Sequence, residues 1–216
     1  MENVKLTYFN NNGRVGLIRA MLCYKKIPFE NIMYTKEEWP PKKDNYEFRQ
    51  LPQLEVNGKK LTQTIAISLY LARQLDLYPK DIYLQYHVDS LLATRDDLTP
   101  LYRKVKYKQN TEEEYKKYKE MVILYLQRIE ERYKELGSGK YYLGNELSVA
   151  DFFLGCMVKE FADFTKDENI MENILLKLII LLKDLKKMNL KNFMKNIILI
   201  LIKIKSGDIN LNIGYI

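Results

Sequence analysis

Apolar and polar residues alternate in short stretches near the start of the chain. Residues 4–8 alternate, which predicts a strand, and Gln53–Val56 repeats the pattern. Asn57 and Gly58 follow as a strong hairpin signal, because both central positions of a type I′ turn need positive φ. We therefore expect a return strand over Lys59–Thr62 and, from its composition, another strand over Phe29–Tyr34.

Apolar residues at helical spacing separate these strands. One such stretch covers residues 15–22, and another opens at Gln63 with Ile65, Leu69 and Ala72 on one stripe. Residues 36–48 are polar and contain prolines, which predicts a loop. The resulting order, β-α-β, loop, β-β-α, is that of a thioredoxin-like domain, with a small mixed sheet and helices on both faces.

A short linker around Pro79 ends this pattern, and the chain beyond it is helical in character. Long amphipathic helices are predicted over residues 82–108 and 112–136, and a third, core helix is expected to begin at the capping sequence of residues 148–151. In the second helix, the residues expected to face inward are Met121, Leu124, Tyr125 and Ile129. The predicted fold class is α+β, with a thioredoxin-like domain over residues 1–78 and an all-helical domain over 82–216.

Residues 171–216 differ in composition from the rest of the helical part. They consist mostly of Ile, Leu, Lys and Asn, and they contain no Pro, Arg or Trp. The sequence predicts no single structure for this tail, and poor folding is one outcome that it allows.

Composition narrows the class of protein. The 216 residues are 47% hydrophobic, which excludes a wholly disordered chain, and the net charge of +7 is not gathered into a basic cluster interleaved with aromatics. We therefore expect no nucleic-acid partner. Cys23 and Cys156 lie in apolar patterns typical of reduced core thiols, and no apolar run has the length of a membrane span. These features favour a cytoplasmic protein that does not bind membranes.

The stretch from residue 49 to residue 67 is a candidate ligand site. The Leu51–Pro52 bond can be cis or trans, and a cis bond would expose the Leu51 backbone to an extended peptide. The N–H groups of Gln63 and Thr64, at the start of a helix, favour a carboxylate. The stretch is thus a candidate site for a small anionic, peptide-like ligand, although the spacing alone favours an ordinary hairpin followed by a helix.

Several motifs in this order carry a family resemblance. They are Lys5-Leu-Thr-Tyr-Phe9 with Gly13-Arg14, Trp39-Pro40, Gln50-Leu-Pro52, Leu54-Glu-Val-Asn-Gly58, Gln63-Thr-Ile-Ala66, Val88-Asp-Ser, Asp96-Asp97, and Gly144-Asn before Ser148-Val-Ala-Asp151. Up to about Glu172 the chain resembles the cytosolic glutathione transferases. The likeness is greatest to the sigma class, which includes glutathione-dependent prostaglandin D synthase.

The resemblance implies an enzyme that joins glutathione to hydrophobic electrophiles. Tyr8 would be the catalytic residue whose hydroxyl donates to the glutathione sulfur, which favours the thiolate. Arg14 would support that hydroxyl and add a positive field. Without the resemblance, Tyr8 is more typical of an aromatic residue at a strand end that packs on the sheet, and Arg14 of a surface charge at a helix start.

The resemblance also implies a glutathione site and a homodimer. Gln63 and Thr64 would hold the γ-glutamyl carboxylate, Leu51 would pair its backbone with the cysteinyl unit, and Asp97 would reach the γ-glutamyl ammonium across a two-fold interface. Trp39 and Lys43, or Lys42 in its place, would contact the glycyl end. The full implied set is Tyr8, Arg14, Trp39, Lys43, Gln50, Leu51, Pro52, Gln63, Thr64 and Asp97.

The electrophile pocket is less well defined. Its candidate residues are Phe9, Asn11, Gly13, Tyr102, Phe152 and Cys156. Lys104 or Arg103 stands where prostaglandin-isomerising relatives have a tryptophan, and Ala93 stands where they have a third acid for a divalent ion, so we expect no metal. The alternatives are a glutathione-dependent prostaglandin isomerase or peroxidase, and a non-catalytic ligand-binding or scaffold protein. His87 is interpreted as a surface helix residue.

Overall fold

A computed structural model describes residues 1–107, 111–137 and 139–162. Within them the chain divides into two compact units, Met1–Lys80 and a helical unit that begins at Asp81. No helix in these ranges is long and apolar enough to cross a bilayer. The predicted tail, residues 171–216, lies outside the described residues.

The first unit is built on a four-stranded mixed sheet. Its strands are β1 (Val4–Phe9), β2 (Phe29–Tyr34), β3 (Gln53–Val56) and β4 (Lys59–Thr62), in the order β2-β1-β3-β4. β1 pairs in parallel with β2 and antiparallel with β3, and β3 pairs antiparallel with β4. The two helices of the unit are α1 (Gly16–Tyr24) and α2 (Thr64–Gln74). This is the thioredoxin-like arrangement that the sequence predicts.

The pairing register brings three chain segments to one end of the sheet. Thr7 pairs with Gln53, and Gln53 pairs with Thr62. Because both pairings are antiparallel, the residues after Thr7, before Gln53 and after Thr62 all leave the sheet at the same end. Leu6 and Leu54, which pair one step inward, are fully buried and hold this register in place.

The segment between β2 and β3 is more regular than expected. Residues 36–48 are predicted to form a loop, but Pro40–Asn45 and Glu47–Arg49 are short 3-10 helices. The prolines at the start of the first helix fit a helical start, where the missing N–H would have no partner in any case.

The second unit contains three described helices: α3 (Ile82–Tyr107), α4 (Glu112–Glu135) and α5 (Val149–Ala162). The Thr111 hydroxyl accepts the Glu114 N–H and the Glu114 carboxylate accepts the Thr111 N–H, both at 3.2 Å, which is a capping box at the start of α4.

Two predictions about side chains in this unit are wrong. Met121 and Leu124 are 38% and 43% exposed, because the buried stripe of α4 runs through Tyr118, Val122, Leu126 and Ile129. Only Ile129 of the predicted stripe is buried, and Tyr125 is half-buried.

His87 is also buried rather than at the surface, with 6% exposure. Its ring lies against Tyr83 and Tyr86 at centroid distances of 4.5 and 5.2 Å. Burial, followed by the charge of Arg132, lowers the pKa of His87, while Glu135 opposes the shift.

Asp151 ties the start of α5 to the preceding loop. Its carboxylate accepts the N–H of Tyr142 at 2.7 Å, the N–H of Ser148 at 2.8 Å and the hydroxyl of Ser148 at 3.0 Å. The acid reaches back as predicted, but the Ser148 hydroxyl donates to it instead of capping the helix. Burial raises the pKa of Asp151, and these donors oppose that rise.

Replacing Asp151 by alanine should lower the free energy of unfolding by about 3 kcal/mol, because three buried donors lose their acceptor. Urea unfolding followed by far-ultraviolet circular dichroism measures the change. Glu146→Ala, at an exposed position in the same loop, is the matched control and should have little effect. An Asp151→Ala protein as stable as that control would contradict the assignment.

Candidate active site

The end of the sheet where β3 begins and β4 ends carries a small open pocket in the first unit. The Leu51–Pro52 peptide bond is cis, and both residues are buried. Gln63 has a positive φ of 71°, and α2 starts at the next residue. The pocket is lined by Arg14, Glu47, Gln50, Leu51, Pro52, Thr62, Gln63 and Thr64.

Thr64 gives this pocket a donor that lacks a protein partner. Thr64 is only 8% exposed, and its hydroxyl oxygen is buried with no hydrogen-bond partner in the described structure. Thr64 is also the first residue of α2, where backbone N–H groups have no partner inside the helix and the helix dipole favours negative charge. The pocket therefore fits a ligand carboxylate at this point.

Leu51 offers its backbone at the edge of the same pocket. The pairings of β3 with β1 and β4 begin at Gln53, so Leu51 lies just beyond the end of both ladders. An extended peptide segment placed there would continue the sheet.

The Tyr8 hydroxyl lies under the loop that joins β1 to α1. It accepts the backbone N–H of Arg14 at 3.4 Å. A Cβ atom at Gly13 would lie 3.1 Å from the Tyr8 oxygen and 2.7 Å from Oδ1 of Asn11, so a larger residue there would require both side chains to shift. The observed support for the hydroxyl thus comes from the Arg14 backbone, and Arg14 is also one of the residues that line the pocket.

Arg19, which sequence reasoning missed, anchors this loop. Its guanidinium donates to the Asn11 carbonyl oxygen at 2.6 Å, to Oδ1 of Asn12 at 3.0 Å and to Oδ1 of Asn31 on β2 at 3.1 Å. Partial burial lowers the pKa of Arg19, with Tyr8 opposing the shift. The available signal was a lone charge within the apolar α1.

Trp39 lies in an aromatic cluster beside the pocket-lining segment. It is 8% exposed and contacts Phe9, Tyr34 and Tyr46, with ring centroids 5.9, 6.2 and 5.3 Å away. Burial, followed by the hydrogen bond between the Tyr46 and Tyr34 hydroxyls, raises the pKa of Tyr46 to about 12. Trp39 is therefore well packed, and its contact with a glycyl end stays a prediction.

The two lysines that could meet the glycyl end lie on the 3-10 helix after Trp39. The Lys42 ammonium is 5.1 Å from the centroid of the Tyr34 ring, a cation–π contact that gives Lys42 a structural role of its own. Lys43, next in the chain, is half-buried. Neither lysine lines the pocket, so the choice between them stays open.

Four of the other predicted site residues belong to the second unit. Asp97 is exposed on α3 and accepts the Tyr125 hydroxyl at 3.1 Å; burial, followed by this bond, raises the pKa of Tyr125. Phe152 is buried, Tyr102 is half-buried, and Cys156 is half-buried and not part of a disulfide in the described structure. Phe9, Asn11 and Gly13 lie in the first unit, so a shared electrophile pocket stays a prediction. The described residues contain no acidic, histidine or cysteine group suited to a metal ion.

Comparisons with models of known protein families identify the family of this chain. The N-terminal domain of glutathione S-transferases matches residues 4–73, and their C-terminal domain matches residues 95–196. This chain belongs to the glutathione S-transferase family. It is a glutathione transferase, and glutathione is the cosubstrate of this family. The match reaches residue 196, so the expected end of the resemblance near Glu172 is wrong.

Individual relatives agree with the family match. Human hematopoietic prostaglandin D synthase is 33% identical over 156 residues, which cover 71% of this chain and 76% of the relative. A glutathione S-transferase of Anopheles gambiae is 30% identical over 177 residues, covering 80% and 86%. Among solved structures, a C. elegans glutathione S-transferase has a TM-score of 0.76 at 25% identity, covering 92% of this chain and 96% of the other. Rat hPGDS complexed with a quinoline has a TM-score of 0.72 at 27% identity, covering 91% and 96%.

Replacing Arg19 by alanine should lower kcat for glutathione conjugation about tenfold, the equivalent of about 1.4 kcal/mol of lost transition-state stabilisation. The loop that holds the Arg14 N–H on Tyr8 would lose its anchor, whereas the pocket walls would remain. The KM for glutathione should therefore change less than kcat.

The pKa of the bound thiol, followed by thiolate absorbance, should rise in this variant. Arg19→Lys should recover part of the loss, because it keeps one charged donor. Arg73→Ala is the matched control, since Arg73 lies on α2 with its guanidinium over the Tyr78 ring. An equal loss in the Arg19→Ala and Arg73→Ala proteins would argue against a positioning role.

Proposed function

We propose that this glutathione transferase conjugates glutathione to hydrophobic electrophiles, with Tyr8 as the activating residue. The observation that carries the proposal is the double role of Arg14. Arg14 is one of the residues that line the pocket that fits a carboxylate, and its backbone N–H donates to the Tyr8 hydroxyl. One residue thus links the candidate cosubstrate pocket to the candidate catalytic group.

The hydrogen bond from Arg14 defines how Tyr8 can act. The hydroxyl oxygen accepts the Arg14 N–H, which leaves the hydroxyl proton to be donated elsewhere. A donor directed at the cosubstrate sulfur favours the thiolate and lowers the thiol pKa. The thiolate is the nucleophile that attacks the electrophile.

The cosubstrate is proposed to bind along the start of β3. The γ-glutamyl carboxylate would meet Gln63 and the unpartnered hydroxyl of Thr64, and the cysteinyl backbone would pair with Leu51. Trp39 and Lys43 are proposed for the glycyl end, and Gln50 and Pro52 complete the wall. Asp97 of a second subunit is proposed for the γ-glutamyl ammonium.

The electrophile is proposed to meet the mixed polar and aromatic set named above. Such a set suits broad conjugation of the kind used in detoxification. A prostaglandin isomerase of the sigma class is the second candidate, because several relatives are named hematopoietic prostaglandin D synthase. Lys104 and Ala93, at positions where those enzymes carry tryptophan and an acid, favour conjugation instead. The linked Tyr8 and Arg14 disfavour a non-catalytic ligand-binding role. A peroxidase would use the same thiolate, so it stays an alternative that depends on the electrophile pocket.

A homodimer is proposed from apolar residues that the described structure leaves in solvent. Phe48 is 63% exposed and has a positive φ of 55°, and Met121 and Leu124 are exposed on α4. Large exposed side chains of this kind favour an interface, and two-fold symmetry is the commonest arrangement. Neither Cys23 nor Cys156 forms a disulfide in the described structure, which supports a proposed location in the cytoplasm.

Tyr8→Phe should lower kcat by about 10²-fold, because it removes one donor to the developing thiolate. Glutathione affinity, measured by isothermal titration calorimetry, should stay within about threefold, since the pocket walls remain. The matched control is Tyr24→Phe, at the far end of α1. A Tyr8→Phe enzyme with full activity towards a chloronitroarene would exclude Tyr8 as the activator.

Phe48→Ser should weaken the dimer about thirtyfold, because an aromatic anchor at an interface contributes about 2 kcal/mol. Sedimentation equilibrium measures the dissociation constant. Met33→Ser, at an exposed position of the edge strand β2, is the control and should leave the dimer intact. Identical dissociation constants for wild type and Phe48→Ser would remove Phe48 from the interface.

A further inference from the structure

The wall of the pocket contains one acidic residue that the proposed function does not use. Glu47 lines the pocket together with Arg14, Gln63 and Thr64. Its Oε2 accepts the hydroxyl of Thr62 at 2.9 Å. Thr62 is the last residue of β4, directly before Gln63, so this bond ties the carboxylate to the start of α2.

The charges of the pocket match a zwitterion. Among the lining residues, Arg14 is the cation and Glu47 the anion. The α2 start and the unpartnered Thr64 hydroxyl suit a ligand carboxylate. Glu47 would repel a ligand that carried only negative charge there, but it would attract one whose ammonium lies next to its carboxylate. The γ-glutamyl end of glutathione has both groups on one carbon atom.

Glu47 retains the capacity for such a contact. An ionised carboxylate has about four lone-pair sites, and the Thr62 bond uses one of them. The Glu47 side chain is exposed, and its hydrogen bond with Thr62 limits its rotation. The carboxylate is therefore already held in position when the ligand binds. Hydrogen bonds between an ammonium and a carboxylate are among the stronger polar contacts in proteins.

We propose that Glu47 binds the γ-glutamyl ammonium of glutathione from within the same chain. The inference rests on the proposed function, because it concerns the same cosubstrate in the same pocket. It differs from the proposed Asp97 contact, which needs a second subunit. Glu47 thereby selects peptides with a free α-amino group at this end.

The test compares two ligands in two proteins. Isothermal titration calorimetry measures the dissociation constants of glutathione and of glutaryl-cysteinyl-glycine, which lacks only the amino group, for wild type and Glu47→Gln. Glutathione should bind the variant about tenfold more weakly, because a charged hydrogen bond is lost. The deaminated ligand should bind both proteins equally or bind the variant more tightly, since a repulsive charge has gone.

Matched variants separate charge recognition from structure. Glu30→Gln removes a carboxylate from β2 that pairs with Lys5 at 3.7 Å, and it should change neither affinity. Thr62→Val removes the anchor but keeps the Glu47 charge, so it should weaken glutathione binding less than Glu47→Gln does. Equal weakening of both ligands by Glu47→Gln would assign Glu47 a structural role and overturn the proposal.

The remaining outcomes are also decisive. Unchanged glutathione affinity in Glu47→Gln would overturn the role of Glu47 while leaving the proposed function in place. Failure of the wild-type protein to bind glutathione at all would overturn the proposed function and the role of Glu47 with it.

Discussion

The antiparallel pairing of β3 with both β1 and β4 is the constraint on which the site depends. Gln53 pairs with Thr7 on one side and with Thr62 on the other. The next residues along the chain at this end of the sheet are therefore Tyr8 after Thr7, Pro52 before Gln53 and Gln63 after Thr62. A shift of one residue in either ladder would turn the buried Leu6 and Leu54 towards the opposite face. The apolar core therefore fixes the relative positions of the candidate activator and the candidate ligand pocket.

The strands, the hairpin and the start of α2 could be predicted from the sequence because the signals for them are local. Alternation predicts the strands, and the hairpin signal is confirmed by positive φ at both Asn57 and Gly58. The start of α2 was likewise visible at Gln63 and Thr64. These features depend on neighbouring residues only, and the pairing of four short strands then leaves few arrangements.

The missed features depend on contacts between residues that are distant in sequence. Arg19 on α1 forms a hydrogen bond with Asn31 on β2, and Glu47 forms one with Thr62, 15 positions later in the sequence. No spacing rule links such pairs. The error at Met121 and Leu124 has a different cause: α4 carries apolar side chains on more than one stripe, and only packing selects the buried one. His87 is buried because its ring packs against Tyr83 and Tyr86, whereas the lack of a catalytic or metal-ligand partner nearby in the sequence favours a surface position.

The location of the candidate groups indicates which substitutions could change the enzyme's preference for electrophilic substrates. Tyr8, the Arg14 contact, the Arg19 anchor and the whole lining of the pocket lie within the first 80 residues, in a unit with its own sheet and core. The candidate electrophile residues are divided between the two units. Substitutions at Tyr102, Phe152 or Cys156 are therefore expected to alter the choice of electrophile without touching Tyr8 or the residues that line the pocket. Apart from the proposed Asp97 contact, the residues proposed to hold glutathione and activate its thiol are separate along the chain from the electrophile residues proposed in the second unit. Such a division is one way in which a fold can support many transfer reactions.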